Sequence, residues 1–80
     1  MSSVENRVRD VIAKTFKLPP DEANKPDLRL ANPPAWDSIG HMSLVMALES
    51  EFGVRFPGHA LPQLVNVPGI VRELGKHLPA

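Results

Sequence analysis

Eighty residues with 42% hydrophobic content fit one small domain, 1–80, near the lower limit for a self-sufficient core. Nine basic side chains balance nine acidic ones for a formal net charge of zero, so no basic excess points to nucleic acid. There is no cysteine, which removes disulfides, thiolate metal sites and a cysteine nucleophile. No signal-peptide pattern and no apolar run of membrane-spanning length is present, so a cytoplasmic protein without a membrane role is expected.

Taken in chain order, Ser2-x-x-Glu5 has the form of a capping box. Val4, Val8, Val11, Ile12, Thr15 and Phe16 then recur at helical spacing and predict a helix over roughly 3–17. Pro19 and Pro20 should end it, because proline lacks the N–H and disfavours helix in the residue before it. Residues 18–36 form a long connection with five prolines, of a length that is usually functional or disordered. Leu28, Leu30 and Trp36 give it apolar anchors, so it should drape over the rest of the chain.

Asp37 is a good N-cap, its carboxylate able to accept the free N–H groups of a new helix. Residues 38–52 contain no proline and are rich in strong helix formers, and Gly53 supplies a left-handed stop. Pro57 and Gly58 mark a turn, with a short helical turn expected around 60–65. Asn66 can cap a last helix whose apolar face is Val67, Ile70, Val71, Leu74 and Leu78 and which ends before Pro79. Gly69 and Gly75 should each weaken it by roughly 1 kcal/mol relative to alanine. No alternating strand pattern occurs, so the expected fold is all-α: three main helices and one short one in a small bundle, with a long first loop.

At ~100° per residue, the helix over 38–52 carries two apolar stripes. Leu44, Val45, Leu48 and Phe52 make an ordinary core face, whereas Ile39, Met42 and Met46 lie in the sector that holds Ser38 and Glu49. A bundle helix needs only one buried stripe. The second therefore asks for burial of its own or a binding role, and methionine suits a surface that meets several partners. Ser38, in the first turn, is a reachable hydroxyl beside unpaired N–H groups and the positive end of the helix dipole, a setting that suits a phosphodiester. A serine at a helix start is also common for capping reasons alone.

Asp37-Ser38-Ile39, then Leu44-Val45-Met46-Ala47-Leu48-Glu49 and the close Glu51-Phe52-Gly53, resemble an acyl carrier protein. The family motif is Asp-Ser-Leu, and its serine carries 4′-phosphopantetheine; Ile39 stands here in place of the leucine. The resemblance implies that Ser38 receives this cofactor from coenzyme A and that Asp37 both caps the helix and contacts the transferase. It implies a carrier rather than an enzyme, holding acyl groups as thioesters for fatty acid or polyketide biosynthesis. Its partners would be a phosphopantetheinyl transferase and acyl-loading and acyl-processing enzymes. Family acids on this helix meet basic partner patches, so Glu49 joins Ile39, Met42 and Met46 as the expected partner face of a monomer.

Two other readings have the same helices. A peptidyl or aminoacyl carrier would differ in cargo and partners, and an unmodified interaction domain would leave Ser38 bare. A hydrolase reading fails on pattern: Ser38 lacks the Gly-x-Ser-x-Gly elbow, His41 falls on the core side of its helix, and His59 and His77 have no metal-ligand spacing. No catalytic residue and no metal site is therefore expected. The chain departs from the carriers of fatty acid synthesis in its zero net charge and in Gly40, His41 and Ser43, where those often carry acidic or polar residues. A specialised pathway is the expectation that follows.

Overall fold

The computed structural model of the chain describes residues 3–78. Its elements are α1 (Val4–Phe16), α2 (Pro20–Ala23), α3 (Ser38–Phe52), a 3₁₀ helix (Gly58–Gln63) and α4 (Val67–His77). The three long helices are the predicted ones and the fold is all-α, with no strand among the described residues beyond isolated bridges.

The first helix starts one residue later in its capping chemistry than the sequence suggests. Ser2 lies outside the described residues, and the cap is Ser3, whose hydroxyl oxygen accepts the Asn6 N–H at 3.1 Å. Glu5 pairs instead with Arg9 one turn on, at 3.1 Å. At the other end α1 closes through Lys17 in the left-handed conformation, φ 56°, with the Leu18 N–H returning to the Ala13 carbonyl at 2.9 Å. The helix has thus ended before Pro19 and Pro20 are reached. Pro20 opens α2, a short helix absent from the prediction, at the first helical position, where an N–H would have no acceptor anyway.

Two of the three predicted loop anchors are buried, Leu28 at 5% exposure and Trp36 at 0%. The Leu30 side chain is 36% exposed and is no anchor. Its backbone serves instead, the Leu30 N–H donating to the Val65 carbonyl at 2.7 Å and tying the loop to the approach to α4. Trp36 enters the centre of the bundle, stacked on Phe16 with ring centroids 5.8 Å apart. Around it Val8 and Ile12 of α1, Leu44 and Leu48 of α3, Leu64, and Ile70 and Leu74 of α4 close a mainly aliphatic core.

The short turn before α4 is a 3₁₀ helix that begins and ends two residues earlier than the predicted 60–65, burying Ala60. Asn66 caps α4 as expected, Oδ1 accepting the Gly69 N–H at 2.7 Å. Gly69 does not weaken this helix as predicted: a Cβ there would collide with the Gln63 carbonyl oxygen and come within 2.9 Å of Asn66 Oδ1. Its hydrogen atom is what lets the 3₁₀ helix lie against the start of α4. No helix among the described residues is long and apolar enough to cross a membrane.

Candidate functional site at the start of α3

Asp37 leaves the loop in extended backbone, and its Oδ1 accepts the Gly40 N–H at 2.8 Å. Its carbonyl oxygen takes the His41 N–H at 2.7 Å, the first full turn of the helix. Ser38 follows as the first residue of α3 and is exposed. The other first-turn N–H groups have no acceptor within the helix, so an anion attached at the Ser38 hydroxyl would meet donors and a positive dipole end. Cap, hydroxyl and free N–H groups together fit a phosphodiester.

What holds this helix start in place is Gly40. A Cβ on it would overlap the Ala35 carbonyl oxygen and lie 2.9 Å from the Phe16 ring. The loop, the end of α1 and the first turn of α3 therefore meet at a point where only hydrogen fits. Beside this junction runs an open groove of about 380 Å³, walled by Thr15, Phe16 and Lys17 on one side and by Ala35, Asp37, Ile39, Gly40 and Ser43 on the other.

His41 anchors the opposite side of the same turn. Trp36 Nε1–H, which can only donate, reaches His41 Nδ1 at 3.0 Å, while His41 Nε2 lies 3.3 Å from the Leu61 carbonyl, which can only accept. One neutral tautomer, with the proton on Nε2, satisfies both. The half-buried ring thus links the loop, α3 and the 3₁₀ helix, and both of its nitrogens are engaged away from Ser38. The core-side position was readable in the sequence; the two partners were not.

The two stripes of α3 separate as the periodicity predicts. Leu44 and Leu48 are at 0% exposure, whereas Ile39 is at 81%, Met42 at 49% and Met46 at 66%. The acids of α3 each meet a partner from another segment. Glu49 Oε2 accepts the Phe56 N–H at 2.8 Å and so fastens the segment after the helix. Glu51 lies 3.4 Å from Arg7, whose guanidinium also sits 4.4 Å above the centre of the Phe52 ring. Nothing in the local pattern announces these links, because their partners lie on other segments. Among the described residues no group of three or more histidine, aspartate or glutamate side chains is placed to hold a metal ion.

Comparison with known proteins agrees with this geometry. A family profile described as "Phosphopantetheine attachment site" matches residues 6–74. A protein named acyl carrier protein from Campylobacter hominis is 34% identical over 68 residues, covering 85% of each chain. Another of the same name, from Lactobacillus johnsonii, is 33% identical over 72 residues, 90% of this chain and 89% of the relative. With a match that runs from α1 to α4 and takes in the capped serine, the chain belongs to the phosphopantetheine-bearing family of acyl carrier proteins.

Proposed function

We propose that Ser38 is the attachment residue and that the chain carries acyl groups between enzymes. The observation that carries this is the exposed Ser38 hydroxyl at the start of α3, directly behind the Asp37 cap, in a chain of this family. A phosphopantetheinyl transferase would join the Ser38 oxygen to the arm's phosphate in coenzyme A, with the hydroxyl proton lost and the pyrophosphate bond broken to release adenosine 3′,5′-bisphosphate. Asp37 serves as cap and as a contact for that transferase. Once bound, the arm supplies a terminal thiol that holds acyl groups as thioesters.

The protein's own residues then position and present. The Asp37 cap and the Gly40 junction fix where the arm leaves the bundle, and the exposed Ile39, Met42 and Met46 offer docked enzymes an apolar face. Glu49 sits at the rim of that face with one oxygen engaged by Phe56. Chemistry on the cargo belongs to the docked enzymes, so the chain is a shuttle and not a catalyst. Tethering raises the effective concentration of the cargo at whichever active site has docked it. We read the chain as a single carrier domain, monomeric and cytoplasmic, serving acyl-loading and acyl-processing enzymes of a specialised pathway.

Intact mass before and after incubation with coenzyme A and a broad-specificity transferase tests the reading. The wild-type chain should gain one phosphopantetheine unit. Ser38→Ala should gain nothing while keeping its helical circular dichroism. Equal mass gain in Ser38→Ala would refute the assignment.

A further inference from the structure

We propose that the groove between the end of α1 and the start of α3 is a resting site for the phosphopantetheine arm. In it the geminal-dimethyl segment lies over Phe16 and Ile39, and Lys17 faces the phosphodiester. The inference rests on Ser38 as the attachment residue. Three features of the groove favour this occupant.

The first is place. Asp37, Ile39 and Gly40, which flank Ser38 on both sides, belong to the groove wall. An arm joined to Ser38 is therefore held next to the groove at the high local concentration that a short tether gives. Weak contacts suffice to populate such a site.

The second is chemistry. The wall offers Phe16, Ala35 and the 81%-exposed Ile39 as apolar surface, and Thr15 and Ser43 as hydroxyl-bearing neighbours. Phosphopantetheine carries a matching mixture of apolar and polar groups: a phosphodiester, a pair of geminal methyls, a hydroxyl and two amides. Lys17 adds a cation and takes part in none of the ion pairs among the described residues. Asp37 is the opposing charge in the wall, with one of its oxygens already on the Gly40 N–H. The groove, at about 380 Å³, is within the ~300–1,000 Å³ usual for small-molecule sites.

The third is shape. The collision a Cβ would make at Gly40 shows how closely the Ala35 carbonyl is drawn onto α3. The groove is thus bounded by a closely packed junction. An arm resting there leaves Met42 and Met46, farther along α3, uncovered. A docked enzyme that covers Ile39 would compete with the resting arm and release it toward its own active site.

The test is isotope-filtered nuclear magnetic resonance on the loaded chain, with labelled protein and unlabelled arm. Cross-peaks should connect the geminal methyls to the Phe16 ring and Ile39, and amide shifts on loading should extend to Thr15, Phe16, Lys17 and Ser43. Ser43→Phe, at an exposed helix position, should fill the groove. It should still accept the arm by mass and keep the wild-type helical spectrum, yet lose the methyl–Phe16 cross-peaks. A loaded chain without those cross-peaks, or with cross-peaks to Ala60 and Leu61 instead, would overturn the groove assignment alone. A chain that gains no arm at Ser38 would overturn the attachment reading and this inference with it.

Discussion

Gly40 and Gly75 both sit inside helices, yet an added methyl group meets different surroundings at the two positions. At Gly40 it meets the Ala35 carbonyl oxygen and the Phe16 ring, and at Gly75 nothing within 4 Å. Gly40→Ala should therefore cost about 1–3 kcal/mol through overpacking. Gly75→Ala should stabilise by about 0.5–1 kcal/mol, the ordinary helix preference for alanine. Thermal unfolding of the two variants should show melting temperatures displaced in opposite directions by several degrees. Displacement in the same direction would show that the loop does not press on α3 at Gly40. At this scale the sequence was legible only where the cause is local. The Asp37, Gly53 and Asn66 caps act within a few residues of themselves and were readable. The role of Gly40 depends on a carbonyl brought up by the preceding loop, and that of His41 on Leu61, twenty positions away. Neither leaves a pattern in the neighbouring residues.

α3 is the element the sequence described best, because both its ends and both its faces are coded within it. Its apolar residues divide into a buried stripe and an exposed one, and the two should respond differently to truncation. Leu48→Ala removes methyl groups at 0% exposure and should cost about 2–5 kcal/mol. Met46→Ala, at a position 66% exposed, should stay within about 0.5 kcal/mol of wild type and instead weaken the use of the loaded chain by partner enzymes. Chemical denaturation and a coupled acyl-transfer assay separate the two effects. Equal loss of stability would place Met46 in the core. The shorter elements were harder to read. Pro19 and Pro20 look like stop signals from the side of α1, but the second of them also opens α2. The 3₁₀ helix has Pro62 inside it and too few residues to show a period, so its register was two positions off.

Across the whole molecule the charge is balanced, and each carboxylate of α3 meets a partner from another segment. Glu49 fastens the Phe56 N–H and Glu51 faces Arg7. Long-range steering toward a basic enzyme patch needs an unbalanced field, and exposed charges more than ~8 Å apart are largely screened at physiological salt. Docking through Ile39, Met42 and Met46 should accordingly change little as salt is raised, and turnover by general fatty acid synthesis enzymes should be poor at every salt concentration. Efficient elongation on the loaded chain that collapses with added salt would contradict this. The bundle itself was legible because three long helices, each with a readable core face, leave few other arrangements. The Arg7–Glu51 pair was not, since it joins α1 to the end of α3.

The attachment residue is the claim on which the rest stands, and peptide mapping of the loaded chain tests it most directly. Trypsin cuts after Arg29 and Arg55, releasing one peptide that holds Ser38, Ser43 and Ser50 together. Fragmentation of that peptide should place the phosphopantetheine mass on Ser38, with Ser43 and Ser50 unmodified. The same mass on Ser43 or Ser50, or a peptide that remains unmodified after complete reaction with coenzyme A and transferase, would contradict the account.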